Sequence, residues 1–530
     1  MRPTALVAVL AVLAGGVGVA RAQGAPSRLW RPEERVLLTD LWRVTAVAVT
    51  QAVVYAATRE ALAVYDRAAG SLRETLGPGD GFPGGITAMV ADPSDDTAWM
   101  AGTGTWAAYH PFGRRWDRGA LPGFADLVVL DADDPSGGAY FRTSSGWYYV
   151  RKHGMMAELA PAAPPSGRRI APLTQRDLLT QAPGLDAIRL TLERDDQLQM
   201  TPMTAAVVSS VRGEAYVGTD GNGVFRVDLA SYRADRLPAG LLGAVTGALA
   251  VARDLVCAGA DARAGSIRRG VTCFRDDLAQ FQYFTGSNVL ANLPGTEVRR
   301  LALTPRAIWV ATNAGLLRLP RNGGPARQFL ERDGLPSADV RALAPAPDGL
   351  WVGTSYGLAV AADDGGRAPA ERVATFGAGV LALAVTGDTL WIGSGTGLLV
   401  LMPGAAAPLV VEPDAPSFRA PVTALAVKGD TILAALDTRL ALRAGGTWRL
   451  VDPPGTLIGR FTAAAADARG FWLGGTQGLA YYQPASGVWR ALTSTGDIPL
   501  PVTDLAAGGD YVWVATPFGV VRLLRSVLAP

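Results

Sequence analysis

The chain reads as an all-β propeller of about eleven or twelve four-stranded blades, set as two rings in tandem. Three observations lead there. A phrase opening on tryptophan recurs at about forty residues, the period of a propeller or solenoid. It is clearest at Trp351-Val352-Gly353-Thr354-Ser355-Tyr356-Gly357-Leu358, and related copies begin at Trp309, Trp391, Trp472 and Trp513. Short apolar or alternating runs flank each copy, separated by Pro, Asp and Gly clusters of the kind that make hairpins. Finally, eleven copies exceed the four to eight blades typical of one ring, which favours two rings over one wide one.

The N-terminus carries Met1-Arg2, an apolar stretch from Ala5 to Ala20 and a small-x-small site at Ala20-Arg21-Ala22. This is the pattern of a secretory signal over residues 1–22. The competing reading, an uncleaved anchor, is disfavoured by the shortness of the stretch and by Gly15, Gly16 and Gly18 within it. The mature protein is expected from Gln23, in the periplasm or secreted from a bacterial cell. Loss of Arg2 and Arg21 takes the net charge from +2 to 0. A neutral chain has no global electrostatic attraction for nucleic acid or an anionic membrane.

Within a repeat, Val340–Ala344, the turn Pro345–Gly349, the run Leu350–Thr354 and the segment after Gly357 give three strands, and a fourth precedes the next repeat. The glycine late in each phrase suits a tight turn that needs positive φ, so Ala61, which replaces it in the first repeat, predicts a looser turn there. The tryptophans are expected to fill the wedge between blades. Weaker copies lie at Tyr55, Met100, Tyr140, Tyr216, Val256 and Ile432. The long interval from Tyr140 to Tyr216 holds either an unrecognisable twelfth blade or an insertion. Helical spacing between Thr174 and Ile188, interrupted at Pro183-Gly184, favours an insertion near 153–203 with a short helix.

The chain is accordingly divided into N-terminal blades over 23–203 and C-terminal blades over 204–530. After Trp513 it supplies only one more strand, Val520–Leu524, whereas Arg35–Leu38 precedes the first repeat without a blade of its own. The two ends are expected to complete one blade and so remove an exposed sheet edge. Cys257 and Cys273 flank the loop Asp261–Gly270. In an exported protein a local disulfide is the favoured reading, with two buried thiols as the other.

The phrase at Trp351–Leu358, together with the connector Asp333-Gly334-Leu335-Pro336-Ser337 and its echoes at Asp80–Pro83 and Gly496–Pro499, resembles the two-component regulator propeller repeat. The resemblance implies a periplasmic or extracellular sensor-type propeller that binds a ligand. After the last repeat the sequence shows no transmembrane helix, kinase or response-regulator segment, so a detached binding module is expected.

Residue supply argues against most catalytic chemistries. His110 and His153 are the only histidines, each read as a loop residue, and no metal ligand or cofactor is assigned. The acidic runs at Asp92–Asp96 and Asp131–Asp134 occupy matching hairpin turns and lack a calcium-loop spacing. Binding is expected where the turns after the second strands and the blade connectors converge. Residues that vary there on the repeated frame are Arg59, Glu60, Asp220, Asn222, Asn313, Tyr356, Asp437, Arg439, Gln477 and Phe518. The resulting expectation is a non-enzymatic module for an envelope protein, peptide or carbohydrate, sensor-like or scaffolding. The alternative is a carboxylate-dependent hydrolase or lyase, which requires two acids converging in one pocket with shifted pKa values.

Overall fold

A computed structural model describes residues 28, 30–131, 137–162, 169–170, 184–195, 198–209, 213–260, 270–285, 297–347, 349–363, 370–373, 379–411, 419–455 and 457–529. Residues 1–22, expected to be a secretory signal, and residues 261–269 between the cysteines fall outside the described residues. The rest is nearly all β, and among the described residues it forms nine antiparallel four-stranded sheets and one of seven strands. Consecutive strands are neighbours except where the N-terminal strand joins the last sheet and where Arg169–Ile170 pairs with Arg115–Asp131.

Eleven blades can be counted among the described residues. Blade 1 starts with Val44–Val49. Blades 2 and 3 form one continuous sheet, because Ala98–His110 and Arg115–Asp131 each run through two strand positions. Blade 4 starts with Met203–Ser209, and blades 5 to 11 start with Thr246–Ala252, Val298–Leu303, Val340–Ala346, Val380–Thr386, Val422–Lys428, Phe461–Ala466 and Asp504–Gly508. Blade 11 takes its outer strand from the other end of the chain: Arg35–Leu38 pairs antiparallel with Gly519–Leu524, Leu37 opposite Val521. The expected completion by both termini is present.

The first strands of blades 5 through 11 pack side by side in sequence order, and that of blade 11 packs back against that of blade 5. The order of neighbours is therefore a closed cycle of seven. The remaining four follow a different order. Blade 4 packs on blade 1, blade 1 on blade 2 and blade 2 on blade 3. An apolar cluster containing Val44 and Tyr216 from this arc also contains Leu249 and Trp513 from the cycle. The two groups of blades thus share a core.

Two features of the sequence cause this packing. The first strand of most blades has a β-bulge at its second residue, at Thr45, Thr87, Thr204, Thr423 and Thr462 among others. The extra residue aims its side chain along the blade-to-blade direction. Thr204, Thr87, Thr423 and Thr462 donate to the carbonyls of Val44, Ala125, Phe461 and Val502 at the start of the neighbouring blade, at 2.7–3.3 Å. The glycine before the threonine of the repeated phrase supplies close approach. A Cβ on Gly353 would lie 2.4 Å from Val380 Cγ1 of the next blade.

The threonine itself closes the turn. Thr312, Thr354 and Thr516 each donate to the carbonyl three residues on, at 2.7, 3.0 and 2.9 Å. Ala61 does not loosen its turn: Thr58 N reaches the Ala61 carbonyl at 2.8 Å and Ala61 N reaches Thr58 Oγ1 at 3.0 Å. The hydroxyl, more than the glycine, sets this geometry. Trp309, Trp472 and Trp513 are buried, and Trp351 is partly so. The helix Leu185–Leu192, α1, begins directly after Gly184 and packs Leu185 and Leu192 on the apolar side of blade 4.

Candidate functional site

The ten turn residues named from the sequence split between the two groups of blades. Arg59 and Glu60 on blade 1 and Asp220 and Asn222 on blade 4 lie in the arc; the other six lie in the cycle of seven. Arg59 and Glu60 are exposed. Asp220 faces Arg43 at 3.5 Å. Asn222 is buried: its amide donates to the Leu192 and Arg194 carbonyls and its oxygen accepts from Arg236 at 2.9 Å. It fastens the end of α1 to blade 4 and presents nothing to solvent.

In the cycle, Asp437 pairs with Arg460 at 2.6 Å, and Arg439 holds Asp452 through two hydrogen bonds at 2.5 and 2.9 Å. Gln477 is exposed, with its backbone N–H on the Ile458 carbonyl. Phe518 is partly exposed, and Tyr356 stands 62% exposed. Asn313 accepts from Glu297 N at 3.1 Å.

Asn313 and Tyr356 border a charged cluster that the sequence reading did not single out. At blades 6 and 7 the bulge position carries Arg299 and Arg341 in place of threonine. Both guanidinium groups hold Asp339: Arg299 Nη1 contacts Oδ1, while Arg341 Nε and Nη2 contact Oδ2 at 2.9 and 2.8 Å. Arg299 Nε is buried without a hydrogen-bond partner, with the Glu297 carboxylate 3.6 Å away. Ser355 N donates to the Asp339 carbonyl at 3.0 Å, and the Ser355 and Ser337 hydroxyls meet at 2.9 Å. These contacts fix the base of the turn that presents Tyr356. Two guanidinium groups share one carboxylate, so among the described residues N–H groups remain for an incoming carbonyl or carboxylate, and the exposed Tyr356 follows Ser355 in the turn bonded to that carboxylate's residue. Aligning the bulge positions of the repeats would have exposed this pair.

A second concave region lies between blades 4 and 5, a hollow of about 720 Å³ walled by Arg226, Asp235, Arg236, Phe281 and Tyr283. Arg236 lies over the rings of Trp42 and Tyr283, at 4.7 and 5.8 Å from their centres. Trp42 Nε1 donates to the Leu241 carbonyl at 2.9 Å.

The third region corrects the reading of His110, which lies buried in a strand, while His153 stands in an exposed turn as expected. His110 ends the third strand of blade 2 and is 7% exposed; His153 follows the third strand of blade 3. Their rings are 5.0 Å apart, and both reach Asp117 Oδ2, His110 Nε2 at 2.8 Å and His153 Nδ1 at 3.4 Å. Burial lowers the His110 pKa despite Asp117 beside it. Burial opposes the Asp117 charge, but hydrogen bonds from Arg115 and His110 outweigh it and hold its pKa low. The three side chains form a set able to hold a metal ion. They lie at the end of the blades carrying the first-to-second and third-to-fourth strand turns, opposite the turns where the sequence placed binding. The available signal was repeat register, since both histidines close the same strand of consecutive blades.

Two carboxylates are pushed up by burial, Glu74 in blade 1 and Asp504 in blade 11. Glu74 is held by Arg114 and Tyr109, and Asp504 accepts from Leu249 N. They sit on separate sheets and share no partner in the described contacts.

No protein-family model and no curated protein sequence matches the chain. Solved structures do resemble it. Virginiamycin B lyase from Staphylococcus aureus aligns at 13% identity and TM-score 0.42, over 53% of this chain and 95% of the lyase. A structure of YCF48 bound to D1 peptide aligns at 14% identity and TM-score 0.43, over 53% and 93%. The extracellular domain of a putative one-component system from B. thetaiotaomicron aligns at 12% identity and TM-score 0.39, over 92% of this chain and 70% of that one. Among the described residues no helix is long and apolar enough to cross a membrane.

Proposed function

We propose that this protein is an exported, non-enzymatic binding propeller of the two-component regulator repeat type, whose ligand is a peptide segment of an envelope partner. One observation carries the reading. On a frame that repeats a blade-to-blade threonine latch, two consecutive blades substitute Arg299 and Arg341, which share Asp339, and the turn bonded to Asp339 through Ser355 carries the exposed Tyr356. Arginine with available N–H groups recognises carboxylate and carbonyl oxygens, and an exposed aromatic ring offers apolar contact at low entropic cost. The neighbour order of the sheets supports a division after blade 4, near residue 240, rather than at residue 204.

The test is retention of peptides from a digest of the envelope fraction on the immobilised chain, followed by calorimetry on the peptides retained. Arg299→Ala with Arg341→Ala, and Tyr356→Ala separately, should weaken binding at least about tenfold, the scale of one interface hot spot. Gln477→Ala, on a turn of blade 10, should leave it unchanged. Equal retention by wild type and the arginine double variant would refute the assignment.

A further inference from the structure

The chain has two histidines in 530 residues, and the fold brings both to one carboxylate oxygen. We propose that His110 Nε2, His153 Nδ1 and Asp117 Oδ2 form a site for a divalent transition metal of the zinc class. Arg115 competes with the metal for that site.

The donor set is two imidazoles and a carboxylate, which suits zinc and its first-row neighbours and disfavours calcium and magnesium. The three ligand atoms lie within 4.8 Å of one another, with the Asp117 oxygen 2.8 and 3.4 Å from the two nitrogens. A tetrahedral zinc ion places its ligand atoms about 3.3 Å apart, given bonds of about 2.0–2.1 Å. Small side-chain adjustments therefore complete the geometry. Thr97 Oγ1 lies 3.0 Å from His110 Nδ1. When Nε2 binds metal, Nδ1 carries the proton and donates to this hydroxyl, the outer-sphere hydrogen bond that orients ligating histidines.

Arg115 indicates what the site attracts. Its Nη2 is 2.9 Å from Asp117 Oδ2 and 2.6 Å from His153 Nδ1. A guanidinium can only donate, so His153 Nδ1 presents its lone pair, as a metal ligand must. One cationic group thus already occupies the bonding directions of two of the three ligands. Arg115 is 56% exposed at the side chain and can swing into solvent. The adjoining hollow of about 730 Å³ is lined by Asp95, Asp96, Phe112 and both histidines. Asp95 and Asp96 line the hollow and Asp117 borders it beside Arg115, while Asp95 and Asp92 face Lys152 at 2.6 and 3.8 Å, so carboxylates outnumber these two cations and the local field favours a cation. A metal with three protein ligands keeps a coordination position open to this hollow, where a small oxygen ligand fits.

The experiment uses the untagged full chain, stripped with chelator and titrated with zinc against a chromogenic competitor, with cobalt absorption as a second readout. Wild type should bind one equivalent, and cobalt should give the intense visible bands of a four- or five-coordinate site. His153→Ala, His110→Ala and Asp117→Asn should each weaken binding by roughly 10- to 100-fold or more, the scale seen even for outer-sphere partners. Arg115→Ala should tighten it. His153 is 57% exposed at the side chain, so its variant folds whether or not His110→Ala does. Failure of wild type to retain zinc, or wild-type affinity in His153→Ala, would overturn the proposal.

Discussion

Thr503 Oγ1 donates to the carbonyl of Thr246 at 2.6 Å, joining residues 257 positions apart. The bond has the geometry of the latches between sequence neighbours, such as Thr462 to Val502 at 2.7 Å. At 503 it links the last blade to the fifth, and Leu249 N donates to Asp504 Oδ2 at 2.8 Å across the same seam. A device that elsewhere spaces adjacent repeats here closes the cycle. Thr503→Val keeps the shape and removes the donor. It should lower stability by about 1 kcal/mol, the net worth of one such bond, read from the urea midpoint at unchanged slope. A larger loss with a shallower slope would mean that the seam opens before the blades unfold.

Arg35 fastens the other seam. It sits on the N-terminal strand of blade 11, ion-paired with Asp80 at 2.8 Å, the two side chains 3% and 9% exposed, and it also donates to the Asp497 carbonyl. Asp80 belongs to the connector after blade 1, so one guanidinium spans both groups of blades. Removing one partner of a buried pair strands the other charge at about 3–5 kcal/mol. Arg35→Ala is expected in that range by chemical denaturation, and Arg35→Met with Asp80→Leu is expected to recover most of it. A cost below about 1 kcal/mol for the single change would show that water reaches Asp80.

Much of this architecture was legible because the repeated features are local. The hydroxyl of Thr354, the alternation of Leu350–Thr354 and the strand Arg35–Leu38, which has no blade of its own in sequence, all act within a blade or on one edge, and their spacing shows in the sequence. What stayed hidden depends on contacts between blades. Blade 4 sits beside blade 1 although blade 3 precedes it in sequence, an adjacency that no local pattern encodes. His110 and His153 meet only because strand Arg115–Asp131 runs through two blades and carries Asp117 between them. Blades 2 and 3 have degenerate phrases, so their register was hard to align. Asn222 read as an exposed turn residue because the helix that covers it lies thirty residues away in sequence.

Gly353 illustrates a role that turn chemistry does not explain. It has no positive φ, and an added Cβ would meet Val380 Cγ1 at 2.4 Å and Val380 Cβ at 2.9 Å. Gly353→Ala forces blades 7 and 8 apart or pushes Val380 off its rotamer. The expected cost is about 1–3 kcal/mol, typical of overpacking, and Val380→Ala in the same chain should relieve part of it. Independent, additive losses in the double variant would place the strain elsewhere.

Cys257 and Cys273 lie opposite each other on neighbouring strands of blade 5 and are bonded, both buried. The bridge closes a loop of sequence separation 16, for which the chain-entropy model gives about 3 kcal/mol. Replacing both by alanine should lower the unfolding midpoint accordingly. Reductant should leave the folded wild type intact, because neither sulfur is accessible, and should act once denaturant opens the blade. Rapid reduction by a small thiol under native conditions would contradict that burial.

The lowered pKa of His110 gives a pH dependence of definite sign. Burial is the main cause, so the folded state holds this imidazole neutral at pH values where the unfolded chain, with an ordinary value near 6.5, binds a proton. Its contribution to stability is full above the unfolded value and is lost as pH falls from about 6.5 towards the lower folded value. Asp117 acts in a more acidic window, since its depressed pKa contributes stability above the ordinary carboxylate value that is lost as pH falls through the folded one. His110→Gln removes the first of these. Urea denaturation of wild type and His110→Gln between pH 7.5 and about 5 should therefore show the two converging as the pH falls. Parallel curves across that range would mean that His110 has the same proton affinity folded and unfolded, and would place its imidazole in solvent rather than against Thr97 and Asp117.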